Sequence, residues 1–413
     1  MNVLLIFPPS PFLEDARSNP PLGILYLAAA VEKYCGGVQV DVLDLGGDDN
    51  FLNTVSAKLR TKQYDIVGIS VCTVHYQTAT SIATLVKCES KALVVTGGPH
   101  ITALPKSILS DVAVVGEGEE TFVHIVKSVE EGIIYEPGTV LRNRNYIVQP
   151  DWYPARHLVD MHSYKLNING IPATPIMTSR GCPSRCCFCM QGIWKKFRMF
   201  SPAYVRLELR QIRDMGFEAV LFIDDTFTYD GVRLKEICKS VKHYGFKAWR
   251  CWTRVDRVDE DMFPMMKEAG CVHVAFGIES GSQHMLDVMG KGTTVEQNTH
   301  AIKLAQKAGL DVRAFFMIGF PGETKESIET TMKYIQDMHL TDVTLFVFSP
   351  TVGCDTWMYP EKYGVKNFNR NDFENQWRIG KDAMGSLYLD TEYMTGEELK
   401  AIHIDCLKQL GKV

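Results

Sequence analysis

Four cysteines stand close together in the middle of the chain. Cys182, Cys186 and Cys189 follow the spacing Cys-x3-Cys-x2-Cys, and Cys187 lies between the second and the third. Iron–sulfur clusters are normally held by four thiolates, so three in one tight loop leave one iron without a protein ligand. A catalytic metal centre needs such an open position, and a structural one avoids it. The spacing therefore predicts a catalytic 4Fe-4S cluster, with Cys187 wrongly placed to be a fourth ligand.

A zinc site or a set of buried thiols is the alternative interpretation of these cysteines. Zinc sites usually pair two Cys-x2-4-Cys units or add histidines at a set distance. No second pair follows here, and the other eight of the 12 cysteines are scattered along the chain. Scattered single cysteines are typical of small buried apolar residues.

The bulk composition is that of a globular protein with several domains. The chain has 413 residues, of which 46% are apolar and 23% charged, and its formal net charge is −5. This length favours two or three domains, and the charge gives no indication of a nucleic-acid partner. No apolar run approaches the ~20 residues that span a bilayer. We expect a cytoplasmic protein without a membrane span.

The N-terminal part alternates between strand-like and helix-like segments. Such alternation predicts a parallel, doubly wound (Rossmann-like) α/β sheet, whose ligands bind at the carboxyl ends of the strands. The predicted strands are Val3–Phe7, Val38–Asp44, Asp65–Val71, Ala92–Thr96 and Val112–Val115, and the predicted helices are Gly23–Tyr34, Asn53–Arg60, Ala79–Cys88, Pro105–Leu109 and Glu119–Val129.

A second βα series follows a polar connection and contains the cysteine loop after its first strand. Six predicted strands separated by helices favour a partial (β/α)6 barrel, in which chemistry occurs at the C-terminal strand ends. These strands are Pro175–Thr178, Ala219–Ile223, Ala248–Thr253, His273–Phe276, Val312–Ile318 and Val343–Phe348. We predict domains at 1–140 and 171–350, a linker at 141–170, and a small mixed and helical segment at 351–413. In that segment Thr395 and Glu398 predict a capped helix over Thr395–Leu410.

The cysteine loop resembles the signature of the radical S-adenosylmethionine (SAM) superfamily, in which an aromatic residue such as Phe188 precedes the third cysteine. The resemblance covers roughly residues 170–350. It implies that SAM chelates the open iron and is cleaved to a 5′-deoxyadenosyl radical. It also implies SAM contacts at or near strand ends, at Phe188, Asp224, Arg254, Glu279, Ser280 and Ile318.

Three of these positions have specific implied partners. A carboxylate at Asp224 would accept a charge-assisted bond from the SAM ammonium, although Asp224 or Asp225 is equally suited to capping the next helix. Arg254 would pair with the SAM carboxylate, or structurally with Asp256 or Asp259. Glu279 would accept from the ribose hydroxyls.

Glycine-rich motifs mark the strand ends of the N-terminal part. They are Gly97-Gly98-Pro99-His100 after one strand, Gly116-Glu117-Gly118-Glu119 after another, Gly68-Ile69-Ser70-Val71 within a third, and Pro20-Pro21-Leu22-Gly23-Ile24 before the first helix. With these motifs the segment resembles the cobalamin-binding domain fused to one large class of radical SAM enzymes. Bare backbone at strand ends suits a corrin ring and its nucleotide tail. The resemblance implies cobalamin contacts at Pro21, Leu22, Ser70, Thr73, Gly97, Gly98, Glu117, Gly118 and Glu119. The alternative is a flavodoxin-like domain that has lost its ligand, with the glutamates starting a helix.

One motif of other cobalamin proteins is absent from the sequence. No Asp-x-His-x-x-Gly segment is present to bring a histidine to cobalt. We therefore expect no protein histidine below the metal, and we expect His75, which follows the third strand, to face solvent.

Together these likenesses imply a cobalamin-dependent radical SAM enzyme that methylates an unactivated carbon through methylcobalamin and a 5′-deoxyadenosyl radical. The family also contains cyclases and rearranging enzymes, including the anaerobic cyclase of bacteriochlorophyll synthesis. For these, Cys354 is a candidate hydrogen-atom donor.

Two other functions fit the sequence less well. A methylthiolase would need a second cluster in the N-terminal domain, where Cys72 is the single cysteine at a strand end. An electron carrier would need no SAM contacts. We expect an external electron donor such as flavodoxin or ferredoxin. The sequence does not identify the substrate.

Overall fold

The computed structural model describes residues 1–10, 17–143, 145–190, 196–369 and 388–412. The chain divides into two compact units, one formed by Met1–Lys165 and a second that begins at Leu166. Within the described ranges, we find no helix with the length and apolar character needed to cross a membrane.

The first unit is an α/β sheet domain. Its six strands are all parallel and lie in the order β2-β1-β3-β4-β5-β6. The order reverses at β1, so the sheet is doubly wound as predicted. Its elements are β1 (Asn2–Phe7), α1 (Leu22–Tyr34), β2 (Gln39–Asp44), α2 (Phe51–Thr61), β3 (Ile66–Ser70), α3 (Tyr76–Glu89), β4 (Leu93–Gly97), α4 (Pro99–Ala103), β5 (Val112–Val115), α5 (Glu119–Glu130) and β6 (Thr139–Arg142).

Both faces of this sheet are covered by helices. Alternate residues of β1 enter different cores: Leu4 and Ile6 pack with α2, α3 and α4, whereas Val3 and Leu5 pack with α1 and α5. Side chains alternate across a strand, so a strand buried on both faces becomes a continuous apolar run. This explains the uninterrupted apolar sequence from Val3 to Phe7.

Two predictions for this unit are wrong. The helix predicted at Pro105–Leu109 is a turn region, and the helix lies earlier, at Pro99–Ala103, where Pro99 occupies its first turn. No strand is predicted at the start of the polar connection, but β6 (Thr139–Arg142) lies there and extends the parallel sheet beside β5. β6 is short and only partly buried, which is typical of an edge strand.

The second unit contains the second βα series. Its first elements are β7 (Asn167–Ile168), β8 (Ile171–Ile176), β9 (Ser179–Arg180), β10 (Arg198–Met199), α6 (Pro202–Asp214), β11 (Ala219–Phe222), α7 (Gly231–His243), β12 (Ala248–Thr253) and α8 (Met262–Glu268). Its later elements are β13 (Cys271–Glu279), α9 (Gln283–Val288), α10 (Val295–Lys307), β14 (Asp311–Ile318), α11 (Lys325–Asp337), β15 (Asp342–Val347), α12 (Asp355–Met358) and α13 (Gly396–Gln409).

The main sheet of this unit has the order β15-β14-β13-β12-β11-β8-β7. The strands β8 and β11 to β15 are parallel neighbours in chain order, and β7 pairs antiparallel with β8. Because the order never reverses, the sheet is singly wound and curls in one direction, and its edge strands do not pair with each other. This is the predicted partial (β/α)6 barrel.

The C-terminal segment is described only in part, since residues 370–387 lie outside the described ranges. The predicted helix is confirmed as α13. Its capping box is also confirmed: the Thr395 hydroxyl accepts from the Glu398 N–H, and the Glu398 carboxylate accepts from the Thr395 N–H.

Candidate active site

The cysteine loop lies between β9 and β10, which pair with each other and close it at its base. Cys182, Cys186 and Cys189 are all partly exposed and form no disulfide. Cys187 differs, because it is buried and its thiol donates to the Met289 carbonyl at 3.1 Å. Burial raises the pKa of Cys187 to about 12, so it remains a thiol. The loop therefore offers three thiols for ligation and keeps the fourth for packing.

These three thiols fit a cluster better than a single ion. A structural zinc requires four ligands around one point, and among the residues that the structure describes there is no group of three His, Cys, Asp or Glu side chains placed to hold one metal ion. A cluster spreads its ligands over separate irons. The partly exposed donor set thus suits a 4Fe-4S cluster with one open iron.

Two cations lie beside Cys186. The Arg254 Nη1 atom is 3.9 Å from the Cys186 Sγ atom. Burial raises the pKa of the Cys186 thiol, while the Lys291 ammonium and the Arg254 guanidinium act in the opposite direction. Both cations therefore stabilise negative charge at this ligand, as a thiolate-bound cluster requires.

Arg254 is held by groups of the protein itself. Its guanidinium contacts both carboxylate oxygens of Asp256, at 2.8 and 3.3 Å, and donates to the Lys291 carbonyl at 3.0 Å. The structure thus contains the structural pair with Asp256 that the sequence left as an alternative. Only the Nη1 group of Arg254 contacts the cysteine loop, because the other guanidinium nitrogens donate to Asp256 and to the Lys291 carbonyl.

Glu279 ends β13 and pairs with a lysine that the sequence did not single out. The Lys291 Nζ atom is 2.7 Å from the Glu279 Oε1 atom, and both side chains are about nine-tenths buried. Burial acts to lower the pKa of Lys291, but the interactions with Glu279 and with Cys186 together outweigh it, so this pKa is raised and the ammonium stays charged. Glu279 adopts a positive φ of 68°, a conformation uncommon outside glycine.

Gly277 makes room for this pair. A Cβ atom at Gly277 would lie 2.6 Å from the Glu279 Oε1 atom and 2.9 Å from the Lys291 Nζ atom. A larger residue would therefore displace the ion pair. Lys291 belongs to no short sequence motif. It lies in the turn after α9, and its pairing with Glu279 is visible only in the folded chain.

Asp224 holds the chain segment that precedes the cysteine loop. Its carboxylate accepts from the backbone N–H of Thr178 at 2.6 Å and from the Thr178 hydroxyl, and the Arg233 guanidinium donates to the Thr178 carbonyl. Asp224 is fully buried. It holds the strand end that leads into the cysteines and does not cap the next helix. Its neighbour Asp225 has its pKa raised to about 6 by burial and by Asp224.

The other predicted SAM neighbours differ in how they are exposed. Phe188 is partly buried, with its ring edge-on to Phe320 at 6.4 Å. Ile318 is fully buried at the end of β14, and its carbonyl accepts from the Phe348 N–H. Ser280 is also fully buried, and its hydroxyl contacts the Thr331 hydroxyl on α11 at 3.0 Å. Ser280 therefore offers its backbone rather than its side chain.

The turn after β14 contains a buried carboxyl, that of Glu323, which the sequence analysis did not single out. Glu323 is fully buried and accepts from the backbone N–H of Gly319, which has a positive φ of 77°. Burial raises the pKa of Glu323 to about 8, so the group is protonated at neutral pH. It fixes the turn from Gly319 to Gly322, which directly follows the predicted SAM neighbour Ile318.

Cys354 lies in a closed environment. Its side chain is buried, and its Sγ atom is 3.0 Å from the Thr356 Oγ1 atom. Burial raises the pKa of this thiol. The Cys354 thiol is therefore packed inside the second unit and not exposed at its surface.

The predicted cobalamin contacts follow the carboxyl ends of three neighbouring strands and begin one helix of the first unit. Ser70 ends β3, Gly97 ends β4, Glu117 to Glu119 follow β5, and Pro21 and Leu22 open α1. Gly98 has a φ of 102°, and a Cβ atom there would lie 2.8 Å from the Val71 carbonyl oxygen. A Cβ atom at Gly118 would lie 3.1 Å from the Leu27 side chain. The strand ends are thus backbone-lined, which fits a large flat cofactor and its tail.

Two histidines lie in the same part of the first unit. His100 is buried, and its ring nitrogens contact the hydroxyls of Thr73 at 3.2 Å and Ser107 at 3.1 Å. The expectation that His75 faces solvent is wrong, since its side chain is 4% exposed. The Nδ1 atom of His75 has no hydrogen-bond partner among the described residues.

Comparisons with known proteins identify both units. The model of the Radical SAM superfamily matches residues 176–335, and that of the B12 binding domain matches residues 16–126. An uncharacterized methyltransferase of Pyrococcus horikoshii is 33% identical over 388 residues, covering 87% of this chain and 83% of the relative. An anaerobic magnesium-protoporphyrin IX monomethyl ester cyclase of Rubrivivax gelatinosus is 28% identical over 410 residues, covering 90% of this chain and 72% of that protein.

A solved structure has the same fold. The radical SAM methyltransferase TsrM from Kitasatospora setae, solved with cobalamin and a 4Fe-4S cluster bound, aligns with a TM-score of 0.74. The alignment covers 99% of this chain and 90% of TsrM at 17% identity, which shows the architecture alone. Sequence relatives and architecture agree, and the chain belongs to the family of radical SAM enzymes that carry an N-terminal cobalamin-binding domain.

Proposed function

We propose that this enzyme is a methyltransferase that adds a methyl group from SAM to an unactivated carbon. The observation that carries the proposal is the loop of three partly exposed thiols, of which Cys186 lies beside Arg254 and Lys291, in a chain whose other unit has backbone-lined strand ends. The P. horikoshii relative, which is named as a methyltransferase, supports this choice. When bound, the cluster supplies an electron to SAM and cobalamin carries a methyl group.

The protein's own task in this reaction is to bind and orient SAM. We assign the SAM carboxylate to Lys291, whose ammonium has further N–H donors beyond the one given to Glu279. Arg254, which is paired with Asp256, is the alternative. Glu279, which shares the ammonium of Lys291, is assigned to the ribose hydroxyls. The adenine is assigned to the backbone around Ile318 and to Phe188. Asp224 acts indirectly, by holding Thr178 and the strand end before Cys182.

Cobalamin is assigned to the segment 1–140, and the cluster and SAM to 171–350. The contacts at Pro21, Leu22, Ser70, Thr73, Gly97, Gly98, Glu117, Gly118 and Glu119 remain those predicted from the sequence. We further propose that a small external electron carrier, such as flavodoxin or ferredoxin, reduces the enzyme. The methylated substrate is unidentified.

A cyclase-type reaction without methyl transfer is the second candidate. It is favoured by the likeness to the R. gelatinosus cyclase, which extends over 90% of this chain. The environment of Cys354 does not favour this candidate, since a hydrogen-atom donor must reach the substrate and this thiol is enclosed.

The deciding experiment is anaerobic reconstitution with iron, sulfide and hydroxocobalamin, followed by reductant and SAM with a trideuterated methyl group. Methyl transfer predicts label on the cobalamin together with S-adenosylhomocysteine, before any substrate is known. 5′-Deoxyadenosine without labelled cobalamin would favour the second candidate. If neither product forms on cluster-loaded, cobalamin-loaded protein, both assignments are wrong.

A further inference from the structure

The main sheet of the second unit has an inner face, which is turned away from the helices. On β12 the Trp249 indole N–H donates to the carbonyl of Ala269, which follows α8, so Trp249 faces the helices. Side chains alternate across a strand, and Arg250 and Trp252 therefore lie on the inner face. The strand register places beside them, on the same face, His273, Ala275 and Gly277 of β13, Arg313, Phe315 and Met317 of β14, and Asp342, Thr344 and Phe346 of β15.

This inner face is packed in one half and open in the other. Near β8 and β11 it is covered by an apolar cluster that includes Leu221 and ends at Trp252. Toward β15, the side chains of Arg250, Arg313 and Phe315 are partly exposed, and Phe346 is 39% exposed. The interior of a complete barrel is filled by layers of bulky apolar side chains. Charged side chains and exposed rings in this position indicate that the half next to β15 is a binding space and not a packed core.

Two aromatic rings form one wall of this open half. The rings of Phe315 and Phe346 are stacked, with centroids 6.0 Å apart and an interplanar angle of 21°. The Arg313 guanidinium carbon lies 5.9 Å from the centroid of the Phe315 ring. A single exposed apolar residue is ordinary, whereas a stacked pair offers a flat surface on which a further ring can pack. The wall therefore suits the planar body of a ligand.

The polar groups of the open half carry an excess of positive charge. The Asp342 carboxylate lies 3.1 Å from the Arg313 Nε atom and 3.4 Å from the His273 Nε2 atom. Burial and the neighbouring Arg313 lower the pKa of Arg250, and Asp342 acts against them, yet an arginine stays charged in proteins. Burial also lowers the pKa of His273, which is therefore neutral at pH 7. Two guanidinium charges thus share the carboxylate of Asp342, and an anion would balance the second charge.

We propose that the open half of the barrel binds the substrate, and that the substrate is a planar aromatic or conjugated compound with a carboxylate or phosphate group. Its ring packs on the wall of Phe315 and Phe346, and its anionic group is held by Arg250 and Arg313. That the bound compound is the methyl acceptor rests on the proposed function.

The same face leads from the arginines to the residues assigned to SAM. Gly277 is the register partner of Phe315, and Glu279 ends the same strand. Arg313 and Met317 are four residues apart on β14, which is about 13 Å along a strand. The anionic group therefore anchors the substrate toward the amino ends of the strands, while its other end extends toward SAM at the carboxyl ends. A substrate bound in this way is elongated.

The test is calorimetric titration of the reconstituted, SAM-loaded protein with three naphthalene probes. 2-Naphthoate and 2-naphthyl phosphate carry the two kinds of anion, and 2-naphthylmethanol is the neutral match. We expect at least one anion to bind with a Kd of about 1 mM or lower, and the neutral probe to bind roughly 10- to 100-fold more weakly. The tighter anion identifies the carboxylate or the phosphate. Equal affinity for charged and neutral probes, or no binding of any probe, would overturn the proposal.

Substitutions assign the effect to the two parts of the site. Arg250→Gln should reduce the affinity for the anions to that for the neutral probe, and Phe346→Ala should weaken all probes. Arg210→Gln, which changes an exposed arginine on α6, should alter none of these affinities. A preference for the anion that survives in Arg250→Gln would refute the assignment. The comparison of probes on wild-type protein decides the question even if Arg250→Gln does not fold.

Failure of the proposed function gives a different result. Labelled methylcobalamin forms before substrate is added, so its absence refutes methyl transfer whatever the probes show. If labelled methylcobalamin forms and no probe binds, the substrate site alone is refuted.

Discussion

Replacing Lys291 by methionine separates the role of this lysine in SAM binding from its role in folding. Lys291 and Glu279 form a pair in which each side chain is about nine-tenths buried. Removing one partner leaves a buried carboxylate without its counter-charge, which costs about 3–5 kcal/mol of stability. If Lys291 also binds the SAM carboxylate, Lys291→Met loses a charged hydrogen bond worth about 1.5–3 kcal/mol. SAM affinity should then fall roughly 10- to 100-fold.

The double variant Lys291→Met/Glu279→Met removes both buried charges at once. Replacing a buried ion pair by apolar residues of similar volume is often neutral for stability. The double variant should therefore regain most of the stability lost in Lys291→Met, whereas SAM affinity should remain low. Gly277→Ala provides a matched control without a change of charge, because its Cβ atom would lie 2.6 Å from the Glu279 Oε1 atom and so displace the pair.

The assay is equilibrium binding of SAM to anaerobically reconstituted protein, together with 5′-deoxyadenosine formation under excess reductant. Iron and sulfide content must match the wild-type protein in every variant, and chemical denaturation gives the stabilities. A Lys291→Met protein that folds, holds a full cluster and binds SAM within twofold of wild type would refute the assignment. Arg254 would then be the remaining candidate for the SAM carboxylate.

Three further predictions concern other buried groups. Cys187→Ser should retain a full cluster, whereas Cys186→Ser should lose it, as measured by iron content and visible absorption; equal loss in both would contradict the distinction between ligand and packing thiol. For Glu323, the folded pKa of about 8 lies above the ordinary value of 4.5, so its contribution to stability is complete below pH 4.5 and lost as pH rises toward 8. Stability should fall by about 1.4 kcal/mol per pH unit in this window from this group, and Glu323→Gln should remove that slope; an unchanged slope would show that the carboxyl is ionised in the fold. Cys354→Ala should keep wild-type turnover, and a loss of product with normal SAM cleavage would restore its role as a hydrogen donor.

Much of the fold was predictable because its strands obey simple patterns. β5 and β12 were predicted with the bounds that the structure has. β5 is a short apolar run, and β12 is apolar except for Arg250 and Thr253. The helix α4 was missed because Gly97-Gly98-Pro99-His100 was interpreted only as a ligand loop, although proline favours the first turn of a helix. β6 was missed because an edge strand lacks the apolar run of a central strand.

The site was predictable where chemistry depends on local spacing and not where it depends on distant contacts. The three cysteines stand in one short segment, so their spacing is visible in the sequence. Asp224 and Arg254 were correctly placed near strand ends, and Asp256 was one of the two structural partners predicted for Arg254. The contact of Asp224 with Thr178, by contrast, follows only from packing. The sequence gives no sign that Lys291 pairs with Glu279 or that His75 packs against Phe7, because both contacts form only in the folded chain. Burial of a single histidine or lysine leaves no periodic signal.

The supports of the cysteine loop also constrain when a cluster can be inserted during synthesis. The loop is held at Thr178 by Asp224, 46 positions further along the chain, and at Cys187 by the Met289 carbonyl, 102 positions further. A ribosome that has just released Cys189 therefore exposes three thiols on an unsupported segment. The loop acquires its held form only after the chain has extended past α9. We therefore expect the loop to hold a cluster stably only once the barrel is nearly complete, with its three thiols kept reduced until then.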